Sequence, residues 1–141
     1  NGIGKKLRKI GAEFGATTGR PRRCGWFDAE LVRFATQLNG FTSLALTKLD
    51  VLDDFDEIKI CTGYEFKGKK ISYYDCDEVI FKKITPIYKI VKGWKSSTKS
   101  MTSFEKLPIN AKAYIKEIEK QTNCPVKYIS TGPSRNELIQ R

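Results

Sequence analysis

The sequence contains no histidine, one methionine and four cysteines in 141 residues. Without histidine there is no Ser-His or Cys-His catalysis and no histidine metal ligand. The cysteines, Cys24, Cys61, Cys76 and Cys124, are spaced by 37, 15 and 48 residues, so no C-x-x-C pair exists and no zinc site is expected. They read as reduced, mostly buried thiols of a cytoplasmic protein. No run approaches the ~20 apolar residues that span a bilayer, and no membrane partner is expected. The phosphate-cradling pattern G-x-x-x-x-G-K-[ST] is absent, and Gly2-Ile3-Gly4-Lys5 is too short to replace it. The first residue is Asn1 and no apolar leader segment follows it, so the expectation is a native start that is missing or processed, with no secretory signal retained.

Hydrophobic residues make up 40% of the chain, enough for a packed core in one domain or one piece of a larger one. Lys and Arg total 26 against 16 Asp and Glu, a net charge of +10 that points to an anionic partner. The distribution is more informative. Lys5, Lys6, Arg8, Lys9, Arg20, Arg22 and Arg23 fall within residues 1–25 against the single acid Glu13. Asp50, Asp53, Asp54, Asp56 and Glu57 then form an acidic run, which breaks up any basic face for nucleic acid and reads as a solvated face rather than a metal site.

Periodicity places the elements. Residues 1–10 read as a basic helix end, and the Gly-, Thr- and Arg-rich residues 11–25 as an ordered loop. Asp28 caps a helix to about Asn39 with Leu31, Phe34, Ala35 and Leu38 on one face, ended by Asn39-Gly40. Residues 41–47 form a short apolar run suited to a buried strand. Residues 58–66 alternate as a strand, and Lys67-Gly68-Lys69 turns into a second strand near Ile71–Tyr74. Residues 79–91 read as strand or irregular, and 95–103 as a polar loop. A helix over 108–122 presents Leu107, Ala111, Tyr114, Ile115 and Ile118, and is stopped by Asn123 and Pro125. Val126–Ile129 is a short strand before the turn Ser130-Thr131-Gly132-Pro133. Strand, helix and strand in this order give an α/β sheet.

Three strings carry chemistry. In Gly15-Ala16-Thr17-Thr18-Gly19-Arg20-Pro21-Arg22-Arg23, guanidinium groups offer paired, charge-assisted bonds to carboxylates or phosphates, and Pro21 stiffens their spacing. Interleaving with Thr-Thr-Gly favours a small-anion site over a solvated basic loop or a nucleic-acid contact. Thr47-Lys48-Leu49-Asp50 at a strand end matches the [N/T]-K-x-D element that reads guanine. One carboxylate accepts both the ring N–H and the exocyclic amine, and the lysine stem packs on the base. A solvated Lys-x-Asp turn accounts for the string equally. Ser130-Thr131-Gly132 either presents backbone N–H groups and a hydroxyl to the far side of a base or is an ordinary turn before Pro133.

Taken together, these strings are similar to the C-terminal part of the adenylosuccinate synthetase family. The carrying residues run from Gly11 to Trp26 and from Leu46 to Asp53. Pro86-Ile87-Tyr88, Gly93-Trp94, Leu107-Pro108, Ala113-Tyr114-Ile115 and Ile129 to Pro133 continue in the family's order. The resemblance covers essentially the whole chain. It implies a large mixed central sheet with flanking helices, related in nucleotide recognition to GTP-binding, P-loop NTPase-like folds, with the N-terminal part missing. It implies a cytoplasmic ligase of purine biosynthesis that is homodimeric when complete. That ligase joins inosine monophosphate and L-aspartate, using GTP as co-substrate and Mg2+ as cofactor, and has no nucleic-acid partner. GTP phosphorylates the purine 6-oxygen, and the aspartate amine then displaces phosphate. Ala16, Thr17, Thr18, Gly19, Arg20, Pro21 and Arg22 would form the loop gripping aspartate. Arg20 would also touch the inosine nucleotide and Arg22 the GTP side. Lys48, Leu49 and Asp50 with Ser130, Thr131 and Gly132 would form the guanine pocket.

The departures are equally specific. The family's G-D-E-G-K-G-K phosphate loop, with its catalytic aspartate and a magnesium ligand, is not among these residues, nor is its catalytic histidine. Residues 1–141 are therefore expected to be a C-terminal segment with no catalytic or metal residue of its own. The other readings are a stand-alone guanine-nucleotide module and a basic nucleic-acid-binding module, the latter marked by steep loss of affinity with salt. The segment alone should show no turnover above background with inosine monophosphate, GTP, aspartate and Mg2+ in a steady-state assay.

Overall fold

A computed structural model describes residues 2–141. The chain runs α1 (Gly2–Ile10), β1 (Phe27–Asp28), α2 (Ala29–Asn39), β2 (Leu44–Leu46), β3 (Glu57–Phe66), β4 (Lys69–Ile71), α3 (Glu78–Phe81), β5 (Thr85–Lys92), α4 (Ile109–Thr122), β6 (Val126–Ser130) and β7 (Leu138–Gln140). Three 3-10 turns, Leu49–Leu52, Tyr73–Asp75 and Phe104–Lys106, punctuate it. The class is α/β with flanking helices, as expected. Among the described residues the strands divide between two mixed sheets. In one, β3 pairs parallel with β1 and antiparallel with β4 and β5; in the other, β6 pairs parallel with β2 and antiparallel with β7. No helix among the described residues is long and apolar enough to cross a membrane.

A single apolar core joins the two sheets. The expected face of α4 is the one that is buried: Leu107, Ala111, Tyr114, Ile115 and Ile118 pack with Ile58 and Ile60 of β3, Val126 and Ile129 of β6 and Ile139 of β7. Each large side chain removed from water contributes roughly 1.5–3 kcal/mol before entropy is counted. Asn123 ends α4 in the left-handed conformation at φ +53°. Gly93 lets the end of β5 cross Phe55: a Cβ there would stand 1.8 Å from the Phe55 carbonyl oxygen.

Local capping explains several departures from the periodic reading. Asp28 caps α2 by accepting from the Leu31 N–H at 3.0 Å, and its other oxygen accepts from the Tyr64 hydroxyl at 2.6 Å. The buried face of α2 is not the expected one: Ala29, Glu30 and Thr36 are buried, with Glu30 accepting from the Tyr73 N–H at 3.1 Å, while Leu31 and Leu38 of the expected face are exposed. Residues 41–47 pair only over Leu44–Leu46, and Phe41, just after left-handed Gly40, is exposed. The strand expected near Ile71–Tyr74 lies instead at Lys69–Ile71. Ser72 and Asp75 form a capping box that turns Tyr73–Asp75 into a 3-10 turn, because side-chain bonds to nearby N–H groups compete with a ladder. Residues 79–91 hold the end of α3, capped by Asp77, and most of β5. All four cysteines are free thiols, Cys61 and Cys124 buried.

The acidic run is not uniformly solvated. Asp53 accepts from the Trp94 indole N–H at 2.7 Å and from the Thr98 N–H and hydroxyl at 2.7 and 2.8 Å. This fastens the loop over 95–103, whose Thr98 is fully buried. In the full-length protein containing this chain, Asp53→Ala should lower the unfolding free energy by about 2–3 kcal/mol in a denaturant titration, because three donors lose their charged acceptor. Alanine at the neighbouring, exposed Asp54 should change it by no more than about 0.5 kcal/mol.

Candidate functional site

Parallel pairing of β2 with β6 sets Leu46 beside Ile129, so both strands end at the same edge. Ligands of open α/β sheets bind at such carboxyl ends. Immediately beyond, Lys48 adopts φ +61°, an uncommon conformation for a residue with a Cβ. Its N–H donates to the Ser130 hydroxyl at 2.8 Å, across 82 residues of sequence. Buried Leu49 anchors the 3-10 turn Leu49–Leu52 that follows and carries Asp50. The two strings read as guanine recognition are thus adjacent.

Asp50 Oδ1 is buried and has no hydrogen-bond partner. Burial pushes its carboxyl above the usual aspartate range, and the charges of Asp53 and Glu137 add to that, against the opposing effects of its own backbone N–H and, more weakly, of Lys99. Unpaired buried acceptors are costly and therefore rare. Thr131 is fully buried; its hydroxyl donates to the Met101 carbonyl at 2.8 Å and its N–H to the Glu137 carbonyl at 2.9 Å. Gly132 makes room for Glu137: a Cβ there would lie 2.3 Å from that carboxylate. The Glu137 carboxylate accepts from the Ser100 hydroxyl at 2.6 Å and the Ser134 N–H at 2.8 Å, the former being the main reason its carboxyl sits below the usual range.

The basic loop folds back on itself. Phe14 and Pro21 form an antiparallel bridge, Gly15 donates to the Arg20 carbonyl at 2.9 Å, and Gly19 turns the tip at φ +65°. Ala16, Thr17, Thr18, Gly19 and Arg20 are all exposed at this tip, followed by exposed Pro21 and Arg22. The base of the loop is tied down. Lys48 Nζ donates to the Gly11 carbonyl at 2.7 Å and to Glu13 Oε1, and Arg22 Nη1 donates to Glu13 Oε2 at 2.9 Å. The Lys48 bond, then the Arg22 bond, hold the Glu13 carboxyl below the usual range.

Two hollows flank the strand end. One of about 390 Å³ has Gly11, Glu13, Arg22, Trp26, Thr47 and Lys48 in its wall. The other, about 300 Å³, is lined by Asp50, Asp53, Lys95, Ser97 and Lys99 among others. Lys48 and Asp50 therefore belong to different concavities, and neither the loop tip nor Ser130, Thr131 and Gly132 line either one, so what joins the two strings is the Lys48–Ser130 bond and not a shared hollow. Among the described residues no group of three His, Cys, Asp or Glu side chains converges to hold a metal ion. Sequence reasoning gave no role to Glu13 or Glu137 and read Asp53 as solvent-facing. Only Glu13 carried a signal, as the lone acid of a basic segment.

The adenylosuccinate synthetase family model matches residues 1–139. Adenylosuccinate synthetase of Geobacter sulfurreducens is 52% identical over 136 residues, 96% of this chain and 31% of that protein. The Uncinocarpus reesii enzyme is 47% identical over all 141 residues and 34% of its own length. A solved structure of fully ligated adenylosuccinate synthetase from Plasmodium falciparum superposes on the whole chain and 34% of its own, with a TM-score of 0.94 and 36% identity. The chain spans about a third of the length of the relatives it matches. With this coverage and identity, the chain belongs to the adenylosuccinate synthetase family.

Proposed function

We propose that the chain supplies the guanine pocket and the aspartate loop of a GTP-dependent ligase that condenses inosine monophosphate with L-aspartate to adenylosuccinate, GDP and phosphate. The observation that carries this reading is Asp50 Oδ1, a buried carboxylate oxygen left without a partner at a strand end. A guanine base offers it two adjacent N–H donors, and a buried charged acceptor gains most from such a pair. The Lys48 stem would lie against the base. Ser130 accepts from the Lys48 N–H and keeps its own hydroxyl proton to donate. Thr131 is spent on Met101 and Glu137 and shapes the turn. In the loop, Ala16, Thr17, Thr18, Gly19, Pro21 and Arg22 would wrap the aspartate substrate, Arg20 would pair with its carboxylate and contact the inosine nucleotide, and Arg22 would also face the GTP side.

In this reading GTP phosphorylates the purine 6-oxygen and the aspartate amine then displaces phosphate. The family implies Mg2+, which would offset phosphate charge. The described residues offer it no convergent set of three such ligands, and its ligands are expected in the part of the family's fold that this chain does not include. These 141 residues do not turn over alone, and the complete protein is a cytoplasmic homodimer.

In the full-length protein, Asp50→Asn should raise KM for GTP roughly ten- to a hundredfold, the equivalent of losing one charged hydrogen-bond acceptor. Its melting temperature should not fall, because the substitution removes a charge that burial disfavours in the fold. The raised carboxyl of Asp50 takes up its proton at a higher pH than an ordinary aspartate. KM for GTP in the parent should therefore climb as pH falls through that range, while the Asn variant stays flat. An unchanged KM for GTP in the variant would refute the guanine assignment.

Arg20→Ala and Arg22→Ala should each raise KM for aspartate and lower kcat, by about tenfold or more in kcat/KM, since each removes a charge-assisted donor pair. Normal aspartate kinetics in both would remove the loop from the site.

A further inference from the structure

The contacts at the base of the loop join two halves of the site that are separate in sequence. Lys48 follows β2, and Arg22 lies beyond the exposed loop tip, 26 residues earlier. One carboxylate connects them: Glu13 Oε1 takes the Lys48 ammonium and Oε2 the Arg22 guanidinium at 2.9 Å. Each oxygen holds one cation, so a rotation that improves one contact worsens the other. The ends of this chain of contacts are fixed. The Lys48 backbone is held in its left-handed conformation by Ser130, and Lys48 Nζ also binds the Gly11 carbonyl at the root of the loop. The Arg22 carbonyl accepts from Arg8 Nε at 2.6 Å, and the Arg22 N–H donates to the Glu13 carbonyl at 3.0 Å. An isolated surface ion pair is worth little, but groups joined in one network strengthen one another, so that a change at one member is felt by the others.

We propose that Glu13 is a positioning residue that couples the base-facing Lys48 to the substrate-gripping Arg22, so that guanine seated on the Lys48 stem favours the loop conformation that receives aspartate. This rests on the guanine and aspartate assignments proposed for the two strings. In this role Glu13 acts through its two partners, by keeping two cations in register. By linkage, the loop's occupancy favours guanine by the same factor that guanine favours the loop. The lowered carboxyl of Glu13 agrees with the geometry, since the bridge needs the charged form.

The test is a double-mutant cycle in the full-length protein that contains this chain. Lys48→Met keeps the stem and removes the ammonium; Arg22→Gln removes the guanidinium. Lys48 and Arg22 share no direct contact among those described, so without a mediator their effects on kcat/KM for aspartate multiply. The coupling predicts that the double variant loses at least fivefold less than the product of the single losses. Repeated with Glu13→Gln in every member, the cycle should return to the product within about twofold. Simple multiplication in the parent background, or a shortfall that survives Glu13→Gln, overturns the proposal. If Glu13→Gln does not fold, Glu13→Asp, one methylene too short to span both cations, takes its place with the same outcomes. Calorimetric GTP binding reads the same cycle for variants without measurable turnover. Failure of the guanine assignment shows separately, as an unchanged KM for GTP in Asp50→Asn.

Discussion

An amide-to-hydroxyl bond spanning 82 residues, from the Lys48 N–H to Ser130 Oγ, holds the end of β2 against the end of β6. A lysine in the left-handed region costs of order 1 kcal/mol and persists only where its surroundings over-determine it. Here they do. Parallel pairing delivers both strand ends to one edge, the serine takes the amide, and buried Leu49 pins the following turn. Reversing the chain at Lys48 keeps Asp50 within the first turn after the strand and takes one of its oxygens out of water. The carboxylate is costly to the empty fold, which is how a recognition group differs from a structural one: its partner is not part of the chain.

A second layer of polar contacts keeps that edge rigid. Asp53 gathers Trp94 and Thr98, Thr131 fastens Met101, and Glu137 fastens Ser100 while lying where any side chain at residue 132 would be. These residues close the loop over 95–103 onto the turn after β6 and leave Asp50 beside Lys95 and Lys99. The loop carrying Ala16 to Arg22 is built on the opposite principle. Its tip is exposed, while Glu13 and Lys48 tether its base.

Much of the framework was legible. The stripe from Leu107 to Ile118 marked α4 because apolar residues recurring at helical period bring one continuous face to the core. Asp28 marked the start of α2, but not its orientation, since buried Glu30 meets the Tyr73 N–H from 43 residues away. The hairpin was recognisable, yet its second strand shifted because Ser72 and Asp75 form a capping box that hydrophobic patterning does not register. At the site, Thr47-Lys48-Leu49-Asp50 and Ser130-Thr131-Gly132 each had a bland alternative as isolated strings. Glu13, Asp53 and Glu137 went unread because a carboxylate's role depends on which donors surround it.

By itself the sequence determined the family, the helix faces that bury apolar area, and the residue types able to bind guanine or a carboxylate, because these follow from short-range order along the chain. Tertiary structure alone decided that Lys48 meets Ser130, that one Asp50 oxygen is buried without a partner, and that Glu13 stands between Lys48 and Arg22. Those outcomes depend on parallel strand pairing and on desolvation, which arise only when distant segments exclude water from one another.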